Sequence, residues 1–350
     1  MYIYISIYIW LIFTSWMDFA KKPNRIVYLY FIGILLLFFA GLRGRSGGDT
    51  LNYINYFLYR TNTIWEWRNL KRGYAEFGFY YLSVLLKSIS NNTNFYFLII
   101  SLISMIPLLK SLSNLCLYPI LGFIVYFARA FFMLRNMAQI RAALAIAIVM
   151  YALKFLIEKK PMKYTLWVLL AMTFHYSMII ALLFRFIYKI NISFKKAIIL
   201  IFLSFCMSFY AGKIIQLFVG LFSLNYYFIE YLKWGNLGLF NPVIFYQIFL
   251  CLIYFYFEKY LSSIQKGYYV IRNAYLLSTL ILILTASMGV IGGRLATLFA
   301  TCEIFIIPAL VYKIRPKIIA YIIFIFLMSI LFYLNVIRLF SEIWEYKIII

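Results

Sequence analysis

The chain has 350 residues, of which 66% are hydrophobic and only 12% charged, with 33 Lys and Arg against 10 Asp and Glu and a formal net charge of +23. Apolar runs recur from end to end at lengths near the roughly 20 residues that cross a bilayer, and no polar stretch is long enough for a separate soluble domain. The composition therefore predicts an all-α polytopic integral membrane protein, organised as one domain over 1–350. It turns the basic excess away from nucleic acid and toward anionic headgroups and an anionic lipid-linked ligand.

In chain order, Met1 to Trp16 is apolar, with no basic residue before it and no small-residue cleavage site after it, so a retained first helix is expected rather than a signal peptide. Short basic links follow at Lys21 to Arg25, Glu158 to Lys163, Lys189 to Lys196, Glu258 to Lys266 and Lys313 to Lys317. The positive-inside rule puts them in the cytoplasm. Threading the apolar runs between them predicts spans near 2–17, 26–42, 95–111, 118–134, 138–157, 197–219, 242–257, 274–290, 295–312 and 318–338, within a total of about 10–12 membrane helices. Phe77 to Ser90 is short for a span and reads as an interfacial helix within an external loop of about 43–94. Tyr164 to Tyr188 carries lysines near both ends and Thr173-Phe174-His175-Tyr176-Ser177 in the middle, which predicts a re-entrant hairpin over about 164–188 that turns at His175.

This threading brings the loop after the second helix, the Arg135 to Arg141 turn, His175, the loop Asn225 to Asn241 and Gly292-Gly293-Arg294 to one external face. That face breaks the charge rule, because its first loop holds Arg43, Arg45, Arg60, Arg68, Lys71 and Arg72. Cations kept on that side point to an anionic ligand.

The densest segment is Gly41-Leu42-Arg43-Gly44-Arg45-Ser46-Gly47-Gly48-Asp49-Thr50-Leu51-Asn52-Tyr53. Asp49 reads either as a solvated turn residue or as a carboxylate, kept ionised by neighbouring arginines, that accepts or orients a sugar hydroxyl proton. Arg135 reads as an interfacial snorkeller or as a ligand cation. Arg141 lies about a turn inside an alanine-rich helix, where small neighbours leave its guanidinium room to reach a bound group. His175, the single histidine, is either an interhelical hydrogen-bond donor or an acid, base or phosphate ligand. Arg294 follows two glycines at a helix start, where free N–H groups favour an anion, and an interfacial turn explains it as well. Tyr53, Tyr56, Tyr226 and Tyr227 are placed to stack on sugar rings.

The sequence contains no Walker loop, HExxH, GxSxG or carboxylate-rich metal cage, and Cys116, Cys206, Cys251 and Cys302 have no metal-ligand spacing. No cofactor and no metal are expected.

At these residues the chain resembles the EpsG family, the Wzy-like polymerases of bacterial exopolysaccharide and O-antigen. The points of similarity are Gly41-Leu42-Arg43 with Gly48-Asp49 and Tyr53, Glu76-Phe77-Gly78-Phe79, Ile140-Arg141, Phe174-His175-Tyr176-Ser177, and Arg294 before a late helix. The chain departs from the family at Phe77, where a proline is common, and at Ala142, where a glutamine is common. The resemblance implies a GT-C-like glycosyltransferase in the bacterial inner membrane that joins oligosaccharide units carried on undecaprenyl pyrophosphate at the external, periplasmic face. A chain-length regulator and a flippase are its implied partners. In that frame Asp49 is the expected base or acceptor-orienting group and His175 the alternative base. Arg43, Arg141 and Arg294, with Arg45 and Arg135, are expected to bind the donor, and Gly48, Tyr53 and Glu76 to order the loop or contact substrate. A lipid-linked oligosaccharide flippase is the rival of another class, supported by Arg129 inside a predicted span, and an O-antigen ligase is the enzymatic rival.

Overall fold

The computed structural model describes residues 1–19, 22–69, 73, 75–221, 237–338 and 346. Every regular element among them is helical, as the apolar runs require, and the protein is an all-α polytopic membrane protein. Among the described residues, six helices are long and apolar enough to cross a membrane, and up to nine spans result when each bent helix pair is taken as one; shorter apolar helices cover Phe77–Ile89, Tyr176–Ile187 and Tyr268–Leu284. The helices gather into two compact units, Met1–Ile179 with Glu303–Ile350, and Ile180–Cys302.

The first unit contains α1 (Tyr2–Ser15), α2 (Lys22–Gly41), α3 (Thr50–Asn55), α4 (Phe77–Ile89), α5 (Thr93–Leu115), α6 (Pro119–Ala128), α7 (Ile140–Ile157) and α8 (Pro161–Phe174). It also contains two C-terminal helices, Glu303–Lys313 and Lys317–Phe332. Helix starts follow local chemistry. Asn92 accepts from the N–H groups of Asn94 and Phe95 to cap α5, and prolines stand at the first position of α6 and α8, where no N–H is needed. Asp18, at the end of the first span, caps α6 across the bundle: its Oδ2 accepts from the Leu121 N–H at 2.7 Å.

α6 is the centre of this unit. Every one of its residues is buried, against α1, α2 and both C-terminal helices. α5 packs on α2 and α7, and α7 on α8; the alanines of α7 let these backbones come close. Tyr8 meets Ser329 at 3.2 Å and Ser15 meets the Tyr321 hydroxyl at 2.6 Å, so polar pairs tie α1 to Lys317–Phe332.

The span expected at 118–134 is not straight. It breaks after Ala128, where Ala130 takes a left-handed conformation (φ 55), and the following π-helical turn Phe132–Ala138 runs at 77° to α6. Arg129 stands at the break and forms a buried ion pair with Glu303, Nε to Oε2 at 2.6 Å. A charge that would be costly inside a straight apolar helix is thereby neutralised.

In the second unit, Tyr268–Leu284 packs against Phe194–Leu221, Pro242–Tyr256 and Gly289–Ala300. It begins earlier than the expected span because Gly267, left-handed at φ 77, ends the preceding turn there. This start buries Arg272, which donates to Glu258 Oε2 at 3.0 Å and lies on the Phe255 ring. The span expected at 242–257 is followed by Glu258–Ile264 at 77°.

Candidate active site

Two backbone breaks build the site in the first unit. Glu76 is the extended residue before α4, and His175 is the extended residue after α8, where the sequence predicts a turn. Gly78 brings them together: a Cβ there would lie 2.2 Å from Thr173 Oγ1, so only glycine lets the start of α4 approach the end of α8 this closely. Across that contact the Glu76 carboxylate is held from both sides. Arg141 Nη1 donates to Oε2 at 2.5 Å, and His175 Nδ1 lies 2.9 Å from Oε1. Arg141 Nε also reaches the Tyr53 hydroxyl at 3.4 Å. The floor beneath is aromatic, with Tyr53, Phe57, Phe79, Tyr96 and Phe97 packed on Ile140.

Burial works to raise the Glu76 pKa, but the hydrogen bond from His175 and the Arg141 charge outweigh it and hold the carboxyl below the ordinary glutamate range. An ionised Glu76 accepts from Nδ1–H, which leaves the lone pair of a neutral His175 on Nε2. Nε2 has no hydrogen-bond partner among the described residues. Ser177 Oγ, two residues on, is buried and likewise without a partner among them.

The loop 42–49 is stitched from below. Arg43 is fully buried; its Nη1 donates to the carbonyls of Ala40 at 2.7 Å and Asn136 at 3.1 Å, its Nε to Thr50 Oγ1 at 3.2 Å, and it lies over the Phe97 ring. Burial pushes its pKa down to about 10, so it stays charged at neutral pH. Gly47, left-handed at φ 106, lets the loop pass so close to the π turn that a Cβ would stand 2.3 Å from the Met137 carbonyl. Above this anchor Arg45 and Gly48 are exposed, and Asp49 is half-buried at the start of α3. Its carboxylate makes no hydrogen bond or ion pair among the described residues.

The structure thus joins Tyr53, Glu76, Arg141 and His175, and presents Arg45, Gly48 and Asp49 on one anchored loop. It does not bring Arg43 or Arg135 to a surface. Both are buried, Arg43 as the anchor and Arg135 over the Phe131 ring. The cation–ligand expectation for these two meets a physical obstacle, since guanidinium groups sealed in packed protein cannot reach a lipid-borne diphosphate. Arg294 belongs to the second unit and is exposed on Gly289–Ala300. Tyr226, Tyr227, Lys71 and Arg72 lie outside the described residues.

Two features escaped the sequence reading. Glu303 is the buried partner of Arg129, and its signal was an acidic residue, one of ten in the chain, inside an apolar run. The Gly78–Thr173 contact had no sequence signal beyond the glycine itself.

Comparison with curated proteins and with solved structures finds no match. The model of the EpsG family matches residues 26–348. Over nearly its whole length, then, the chain carries the pattern of a membrane protein of polysaccharide polymerase type, and it belongs to the EpsG family.

Proposed function

We propose that the protein is a membrane glycosyltransferase that polymerises oligosaccharide repeat units carried on undecaprenyl pyrophosphate, for O-antigen or exopolysaccharide, at the external face of the bacterial inner membrane. The observation that carries this reading is the Glu76 bridge: a carboxylate outside the predicted spans clamped between Arg141 and His175. Such a dyad supplies a general base whose tautomer is fixed by the carboxylate behind it. The acceptor hydroxyl oxygen attacks the anomeric carbon, the bond from that carbon to the diphosphate breaks, and the diphosphate leaves with the bonding pair. His175 Nε2 takes the hydroxyl proton. Glu76 stabilises the imidazolium, and Asp49, whose carboxylate is unengaged, orients the acceptor hydroxyl. Arg45 and the partly exposed Arg141 offset the charge that develops on the leaving diphosphate. Arg43 supports the reaction by holding the loop.

Arg129, the residue that favoured transport, is paired with Glu303, and that removes the sequence argument for a flippase. Analysis of lipid-linked glycans in a deletion strain tests the proposal. Single repeat units accumulating on the external leaflet are expected. Units trapped on the cytoplasmic leaflet would indicate a flippase, and normal-length polymer left unattached to its lipid A acceptor would indicate a ligase.

A further inference from the structure

Tyr118 stands in the short link between α5 and α6, and three cations from separate parts of the chain converge on it. Arg25, in the first turn of α2, donates from Nη1 to the Leu117 carbonyl at 3.1 Å, and its charge acts on the Tyr118 hydroxyl. Lys317, the first residue of Lys317–Phe332, donates to the Tyr312 carbonyl and lies over the Tyr118 and Tyr312 rings, with Nζ 5.8 Å and 4.3 Å from their centroids. Arg315 is exposed, and its charge acts on both Tyr118 and Lys317. Phe19 and Tyr312 each pack on the Tyr118 ring at 5.3 Å, so the cluster has an aromatic base.

The cluster carries a surplus of positive charge. None of the three cations forms an ion pair among the described residues. The neighbouring carboxylate, Asp18, is buried and turned inward to the Leu121 N–H. Arg25 and Lys317 also sit in first helical turns that contain no acidic residue, where the helix dipole opposes a cation and favours an anion. Mutual repulsion and two helix starts act in the same direction, and a bound anion relieves both.

We infer that this cluster binds the phosphodiester headgroup of an anionic phospholipid, in the leaflet opposite the candidate active site. α5 fixes the leaflet: it runs from Tyr96 and Phe97, in the aromatic floor of that site, to Leu115 beside the Tyr118 link, about 34 Å at 1.5 Å per residue. Depth selects a lipid over a free anion. Arg25 and Lys317 open two predicted membrane spans, and the exposed side chains that follow are apolar, Val27 and Tyr28 on α2 and Ile318 and Ile319 on Lys317–Phe332. Trp16, exposed and 5.1 Å from the Tyr321 ring, adds an aromatic of the interfacial kind. A headgroup held by the cations lays its acyl chains along these side chains. The surplus charge selects an anionic lipid over a zwitterionic one.

The test places the full-length protein in nanodiscs of equal phosphatidylglycerol and phosphatidylethanolamine and counts retained lipid by native mass spectrometry. Wild type should hold phosphatidylglycerol selectively. Arg25→Gln, Arg315→Gln and Lys317→Gln together should lower its retention about tenfold or more, at roughly fivefold per cation removed. Lys159→Gln, Lys160→Gln and Lys163→Gln together remove the same charge from another basic link and should leave retention unchanged. Should the first triple variant not fold, Arg315→Gln alone, at an exposed position without a hydrogen bond among the described residues, should still lower retention about fivefold. Equal losses in the two triple variants, or full retention in Arg315→Gln, would overturn the inference, because the basic links would then act only as diffuse charge. Thermal stabilisation of wild type by inorganic phosphate in uncharged lipid, as large as that by phosphatidylglycerol, would overturn the lipid assignment in favour of a free anion.

Discussion

Gly78 and Thr173 touch where α4 starts and α8 ends, and a Cβ on Gly78 would stand 2.2 Å from Thr173 Oγ1 and 2.8 Å from its Cβ. This contact sets the separation of Glu76 from His175. Gly78→Ala should therefore cut polymerisation while the protein still inserts at normal abundance, since only one helix start moves. Thr173→Gly in the same chain removes both clashing atoms and should restore much of the activity. Polymer length on gels, set against protein level by immunoblot, reads both outcomes. Full activity in Gly78→Ala alone would show that the dyad spacing does not matter.

Glu76→Gln keeps the shape of the clamp and removes its charge. Near neutral pH it should cost roughly 1.5–3 kcal/mol, the scale of hydrogen bonds to a charged group. The pH dependence follows from the lowered Glu76 pKa. The stabilisation is fully present above the unfolded value of about 4.3 and is lost as pH falls through the lower folded value. Thermal unfolding in detergent should show wild type and variant converging only below the ordinary glutamate range. A gap independent of pH would mean that the charge contributes nothing.

Removing a general base typically slows a reaction by about 10²–10⁴-fold, and His175→Gln should fall in that range in a reconstituted assay with normal donor binding. Asp49→Asn keeps a good turn former and removes the acceptor-orienting charge, so its loss should be smaller, about tenfold or more, and should appear mainly in the acceptor KM. The reverse ranking would move the base to Asp49.

Arg43 and Arg45 lie two positions apart and should behave differently. Arg43→Met leaves the carbonyls of Ala40 and Asn136 without their buried donor, and folded protein should fall sharply. Arg45→Ala, at an exposed position, should leave the yield unchanged and lower activity in a salt-sensitive way. Fluorescence-detected size exclusion with a polymerisation assay separates the two. An abundant, monodisperse Arg43→Met protein would contradict the anchoring role.

The pair Arg129–Glu303 gives a test of structure against transport. Glu303→Gln leaves a buried guanidinium uncompensated and should cost about 3–5 kcal/mol, whereas replacing both residues by leucine should recover most of the loss. If the double variant folds and polymerises, the pair is architectural. Loss of polymer with well-folded protein would give it a functional role.

Hydropathy is a sum over neighbours in the chain, so the helices are legible in the amino-acid sequence alone. The runs that form α2, α5 and α7, the proline starts of α6 and α8, and the helix break at His175 all follow from local composition and backbone chemistry. The ordered motif from Gly41 to Arg294 likewise points to the family that the chain belongs to. Pairing of charges is not local. Glu76 finds Arg141 65 positions away and His175 99 away, and Arg129 finds Glu303 174 away. Residue type alone could not tell the sealed guanidinium of Arg43 from the exposed one of Arg45. Packing decides that difference, because in a low-dielectric interior every charge must be closed by a partner, and the fold alone determines which partners come within reach.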